Sequence, residues 1–304
     1  MLTDRNIERF RPLLPIGYKA TAAAYQSAIN NIKADTLSTH YTNGIEFFQN
    51  EFIPYLKNSL LQLSSGAWDL QDYMAYAAGS DVDFMTHIIE AVAADNRVCL
   101  FPGDWYGFLV GASKQDKIQW DTKSHGAMAC LCIPSVRNGI MTQGMFDFLE
   151  RADSCLLNIN LYPTLTDEER YAVATTLNPI LEKSILSISF SRGFGLTASQ
   201  LGVILIHREH PLRKRFETQW RWFSYYFNAI AAHAYMALDR AALQKVDKQR
   251  RQWVHNWLHT RKLPVVNSGS YYVKSFRPQG EIPDKLLPLM RNNVLRLCFK
   301  PPQT

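Results

Sequence analysis

The stretch Ser187–His207, SISFSRGFGLTASQLGVILIH, decides how this chain is read. Its first residues form an apolar run of strand type, Gly193 and Gly195 mark a turn, and LGVILIH resumes as a second apolar strand. Arg192 stands at the head of the turn, a setting that presents one basic side chain to a cavity. The nature of that residue governs the chemistry open to the site.

Working outward, the pattern around this hairpin alternates. YMAYAA (residues 73–78) reads as a buried strand; a Gly79-Ser80-Asp81 turn follows, then a helix through Ala94. RVCLF and AMACLCIP read as strands, TQGMFDFLERAD as a helix, SCLLNINLYP as a strand and TDEERYAVATTLNPIL as a helix. Strands apolar on both faces, alternating with helices, predict an α/β fold: a mostly parallel sheet with helices on both faces. The first seventy residues carry apolar residues at helical spacing, as in IEFFQNEFIPYLKNSLLQL. From Pro211 to His259 the pattern is again helical, and SGSYYVKSF and NNVLRLCF read as two further strands with a short helix, PDKLLPLM, between them. The expected division is an N-terminal helical segment (1–70) that joins the small domain or a dimer contact, a large α/β domain (71–207) and a smaller α+β domain (208–304).

Composition narrows the function. Apolar residues make up 47% and charged residues 20% of 304, as in a globular protein able to bury a large core. The net charge of +6 is modest and scattered, and the one basic cluster (Arg208, Arg213, Lys214, Arg215) reads as a solvated helix face, so no nucleic-acid partner is expected. Cys99, Cys130, Cys132, Cys155 and Cys298 sit mostly in apolar runs with no Cys-x-x-Cys pair, which predicts buried free thiols in a reducing cytoplasm. No signal-type apolar core and no run long enough to span a bilayer occur, so a cytoplasmic protein without membrane contact is expected. His255 and His259 lie four apart but lack an acidic companion, and no metal is expected.

In this order the elements resemble the fold type I pyridoxal-phosphate enzymes, class I/II aminotransferases in particular, over about Tyr73 to Phe299. Gly79-Ser80-Asp81 resembles the family's phosphate-cup turn, and FPGDWYGF places Trp105 at the ring-stacking aromatic. IPSVRNG stands for Asn-Pro-x-Asn-Pro-x-Gly, and LLNINLYP for the strand ending in the pyridine-binding aspartate. SFSRGFGL stands for Ser-x-Ser-Lys-x-Phe-Gly-Leu, and VLRLCF ends with the arginine that grips a substrate carboxylate, here Arg296. The chain is shorter than a typical member, with little between Phe108 and Pro134 and a trimmed small domain.

The departures from that pattern are chemical. The family's lysine amine attacks the cofactor aldehyde and then moves protons. Arg192 in its place keeps the positive charge, but a guanidinium has no lone pair to attack or to accept a proton. The aspartate that keeps the pyridine nitrogen protonated aligns with Asn160, or in a shifted register with Asn158 on the same strand face; neither is acidic. The asparagine for the phenolic oxygen aligns with Val136. The phosphate-binding arginine, eight positions after the lysine, aligns with Gln200, a loss of about 1.5–3 kcal/mol of charge-assisted binding. Gly79, Ser80, Asp81, Ser189 and Ser191 remain as anion donors, Trp105 as a stacking ring and Arg296 as a carboxylate clamp. Taken singly, Trp105 is more often a core or rim aromatic, Arg296 more often a surface or salt-bridged arginine, and Ser80 an ordinary helix N-cap.

Three functions are compatible with this. One is a degenerate site repurposed to bind an amino-acid-like or carboxylate ligand without covalent cofactor chemistry. A second is an unusual enzyme that holds pyridoxal phosphate or pyridoxamine phosphate non-covalently, or uses Lys183, Lys274 or Lys300 instead. The third is an inactive subunit, in a homodimer or paired with an active paralogue, with QWRWFSYYFNAIAAHAYMAL (residues 219–238) long and apolar enough for an interface, although interior packing is the more ordinary explanation of such a stretch.

Overall fold

The computed structural model describes residues 17–33, 40–79, 81–104, 117–196, 199–260, 268–277, 281, 284, 287, 290–291 and 294–299. Its larger sheet contains seven strands: β1 (Tyr73–Ala77), β2 (Arg97–Leu100), β3 (Ile118–Trp120), β4 (Ala127–Cys132), β5 (Ser154–Asn158), β6 (Ser184–Ser189) and β7 (Gly202–His207). They lie in the order β1-β7-β6-β5-β4-β2-β3. All neighbours are parallel except at β7, which runs antiparallel to both β1 and β6. A second sheet joins β8 (Val273–Phe276), β9 (Met290–Arg291) and β10 (Val294–Cys298) in the order β8-β10-β9, all antiparallel. The expected mostly parallel α/β sheet and a small second sheet are both present.

Strands β4 and β6 are buried at every residue, and β5 at all but its first, which explains why they read as unbroken apolar runs. The outer strands differ. Met74 of β1 is exposed, and β3 has no buried residue. Strand β3 was not anticipated, because three half-wet residues at a sheet edge carry no period.

Several element ends follow from single residues. Helix Asp167–Leu177 opens on a reciprocal cap in which Thr166 accepts from the Glu169 N–H and Glu169 accepts from the Thr166 N–H. It stops before Pro179, where the predicted helix continues only as a 3-10 turn, Asn178–Ile180. Strand β5 also ends sooner than its apolar run: the Asn160 N–H donates to Asn158 Oδ1 at 3.0 Å, and this side-chain turn takes Asn160 off the strand. Asn158 and Asn160 therefore do not share a strand face, which corrects the sequence expectation.

The N-terminal helices share the main core. Phe48 and Phe52, in a π-helical stretch between helices His40–Phe47 and Ile53–Leu63, pack on Phe190, Phe223, Phe227 and Tyr235. Thr21 of helix Lys19–Asn31 donates to the Phe194 carbonyl just beyond Arg192. In the 219–238 stretch Ala231, Ala232, Ala234 and Tyr235 are fully buried, while Trp222 and Tyr225 remain exposed. The basic cluster is an ion-paired surface: Arg208 meets Asp72, Arg213 meets Glu217 and Arg215 meets Asp95. All five cysteines are buried free thiols. No helix among the described residues is long and apolar enough to cross a membrane. The PDKLLPLM helix lies largely outside the described residues.

Candidate functional site

In an open parallel sheet, ligands bind beyond the carboxyl ends of the strands. Here those ends belong to β1, β5 and β6, and reversed β7 begins among them, with Ser189 opposite Gly202 and Ala77 opposite Val203. Gly79, just past β1, has φ +56° and donates its N–H to the Tyr226 carbonyl at 2.9 Å. Its own carbonyl lies where a side chain on Gly202 would begin, 2.7 Å from that position, so only glycine lets the two backbones pass.

Around this crossing the structure gathers most of the sequence-derived residues. Ser189 and Ser191 stand with their hydroxyls 2.9 Å apart. The Asn160 side-chain oxygen accepts the Ser189 N–H at 2.6 Å, which ties the end of β5 to the end of β6. Arg192 is partly buried, and its Nη1 is fully enclosed without an acceptor among the described residues. Gln200, at φ +48°, lines a cavity of about 330 Å³ with Tyr225, Tyr226 and Asn228. Asp81 opens helix Asp81–Ala93, although nothing is described of its side chain; Ser80 and Trp105 lie outside the described residues.

Arg296 reaches the site from β10. It is buried at 2% exposure and donates from Nη1 to the Val136 carbonyl at 3.2 Å. Val136 is held in turn by Asp104, a residue the sequence did not single out. Buried Asp104 accepts from the Cys132 N–H (2.7 Å), the Ser135 hydroxyl (2.7 Å) and the Val136 N–H (3.0 Å). One carboxylate thus fixes the turn after β4, which includes a cis Ile133–Pro134 bond, and through it the Arg296 anchor point. Its only trace in the sequence was an acid within FPGDWYGF.

Two of the three substitute lysines can be placed. Lys183 precedes β6, at the opposite end of that strand from Arg192, and donates to the carbonyls of Glu150 and Ala152. Lys274 pairs with Leu297 across β8 and β10, whereas Arg296 pairs with Ser275, so the lysine leaves the opposite face of the small sheet from Arg296. Its amine donates to the Ser268 carbonyl at 2.6 Å. Burial is the main reason its pKa falls to about 8; Arg251 lowers it further and Glu169 opposes. Lys300 lies outside the described residues.

These residues accommodate only part of a pyridoxal-phosphate group. The Ser189 and Ser191 hydroxyls and the unpartnered Arg192 nitrogen suit a phosphate or carboxylate. Lys183 and Lys274 are engaged with backbone carbonyls elsewhere, and the Asn160 side-chain oxygen is already engaged by the Ser189 N–H. No group of His, Cys, Asp or Glu among the described residues could hold a metal ion.

No protein-family model matches the sequence, and no curated protein matches it. Solved structures do match. The histidinol-phosphate aminotransferase of Clostridium acetobutylicum is 11% identical, with a TM-score of 0.62 over 96% of this chain and 94% of that one. The aspartate aminotransferase of Thermotoga maritima is 12% identical, with a TM-score of 0.60 over 93% and 84%. A pyridoxal-phosphate-bound C–S lyase from Staphylococcus hominis is 12% identical, with a TM-score of 0.60 over 90% and 75%. At these identities the likeness concerns the backbone: the chain has the fold of the fold type I pyridoxal-phosphate enzymes.

Proposed function

We propose that this aminotransferase-like chain binds an amino-acid-like or other carboxylate-bearing ligand non-covalently, in a pocket that no longer performs the fold's lysine chemistry. The observation that carries this reading is Arg192 itself: a guanidinium at the carboxyl end of β6 with an enclosed nitrogen that lacks an acceptor among the described residues. An enclosed guanidinium donor calls for an acceptor, and an anionic one offsets the charge as well as taking the hydrogen bond. Ser189 and Ser191 supply neutral donors beside it, and Arg296 supplies a second cation oriented through Val136 and Asp104. Pyridoxal phosphate or its amine form would bind, if at all, by its phosphate and without attachment to the chain.

The test is direct. Purified protein is mixed with excess pyridoxal phosphate, treated with borohydride and weighed intact. The expected result is an unchanged mass. A mass increase by one reduced cofactor, mapped to any lysine at this site, would falsify the reading.

A subunit role has its own observation, because Trp222 (57% exposed) and Tyr225 (78% exposed) stand side by side on the surface with ring centroids 5.8 Å apart. Sedimentation of wild type beside Trp222→Ser tests it. A dimer that dissociates in the variant supports an interface there, and an unchanged mass distribution removes it.

A further inference from the structure

Next to the proposed site lies a group of buried donors that the reading above does not use. Arg250, in helix Arg240–Thr260, is 6% exposed; its Nη2 donates to the Gly17 carbonyl at 2.5 Å, and its guanidinium stacks over the Tyr18 ring at 4.7 Å. Its Nε and Nη1 are enclosed without an acceptor among the described residues. Tyr272 is 1% exposed, and its hydroxyl is likewise enclosed and unpartnered. With Arg192 Nη1 these make four unsatisfied polar atoms on three residues.

The fold brings those residues together. Thr21 binds the Phe194 carbonyl two residues beyond Arg192, and Gly17 and Tyr18, at the start of the same helix, hold Arg250. Tyr18 and Tyr271 both donate to Asp247 Oδ1 at 2.7 Å, which ties the chain just before Tyr272 to the start of that helix. Burial raises the Tyr272 pKa, and the charges of Arg192, Arg296 and Arg250 all act against it, so each of the three cations lies within electrostatic reach of that hydroxyl. Asp247, a carboxylate on which the Arg250 charge acts, has two tyrosine donors already, and burial pushes its own pKa upward. Three guanidiniums against one engaged acid leave an excess of positive charge, and the four enclosed donors have no acceptor among the described residues.

The geometry points to a second anion subsite, formed by Arg250 and Tyr272 against Arg192, that takes a doubly charged oxyanion of the phosphate-monoester type. A phosphate offers several acceptor oxygens to converging N–H and O–H donors, and a dianion offsets the excess charge where a monocarboxylate does not. Arg192, only partly buried, is its edge toward solvent. This deepens the reading of Arg192 as an anion ligand and rests on it: the ligand carries a phosphate at one end and, opposite Arg296, a carboxylate.

The experiment titrates the full chain with inorganic phosphate at pH 8, where phosphate is dianionic, and with acetate, following heat of binding and unfolding midpoint. Phosphate is expected to bind at least about tenfold more tightly than acetate. Tyr272→Phe removes only an unpartnered hydroxyl, so the ligand-free variant should be no less stable than wild type while its phosphate affinity drops about tenfold. Arg250→Lys keeps the charge and loses the fork, and is expected to weaken phosphate binding similarly. Equal affinity for phosphate and acetate, or phosphate binding untouched by both substitutions, overturns the subsite. Covalent labelling by pyridoxal phosphate would instead sink the reading of the main site, so the two failures are distinguishable.

Discussion

Replacing Asp104 tests whether one carboxylate organises the turn that anchors Arg296. Asp104→Ala leaves the Cys132 and Val136 N–H groups buried without acceptors, and frees the Ser135 hydroxyl to rotate elsewhere. At roughly 1–3 kcal/mol for each stranded donor, the two amides cost about 4 kcal/mol together. Asp104→Asn keeps an oxygen for Ser135 and Val136 but turns an NH2 against the Cys132 N–H, costing about 2 kcal/mol. Urea unfolding should therefore rank wild type above Asn above Ala, with thermal midpoints falling about 2–4 °C per kcal/mol. Because Val136 carries the Arg296 contact, anion affinity in the Asn variant should fall as well. An Asn variant as stable as wild type, or an Ala variant that loses less than about 1 kcal/mol, refutes the idea that the carboxylate holds this turn.

Other outcomes follow from single residues. Lys274, with its pKa lowered to about 8 from 10.5, makes the fold bear a penalty that is full below pH 8 and is relieved as pH rises toward 10.5. Wild-type stability should thus gain about 3 kcal/mol over that window relative to Lys274→Met, measured by urea unfolding at matched pH; parallel curves would show the amine is not strained. Gly139→Ala should fail to accumulate as folded protein: φ is +78° and the new methyl would lie 2.3 Å from the Val273 carbonyl, so native-like circular dichroism and unfolding would contradict the packing. Arg192→Lys restores an amine but not the pyridine acid, so borohydride should fix pyridoxal phosphate on the variant only at high cofactor concentration and never on wild type, as read by intact mass.

Much of this molecule was legible before any coordinates. The runs at β4, β5 and β6 could be read because strands buried on both faces keep only apolar residues. The Thr166–Glu169 cap could be read because its spacing is local. What escaped notice depends on partners distant in sequence. Arg250 sits in a charged run, KVDKQRRQ, with the look of a wet helix face; Gly17 and Tyr18, more than two hundred residues earlier, cover it. Asp104 is one acid among apolar neighbours, and its three donors, at the end of β4 and in the turn after it, come 28 to 32 residues later in the chain. Asn160 was singled out for its identity, yet its occupation by the Ser189 backbone could not be known without the turn at Asn158.

The reversal of β7 has a consequence for how the chain assembles. Among the described residues, strand β1 has no neighbour in the larger sheet except β7, and the two are separated by well over a hundred residues. Until His207 has been synthesised and β7 has slotted beside β6, β1 has nowhere to dock and Gly79 has no fixed position. The Arg192 hairpin therefore acts as a keystone: a nascent chain can form β2 to β6 and still lack a ligand pocket. Closing so long a loop is entropically slow, so binding competence should arrive as one late event, with both walls of the pocket appearing together.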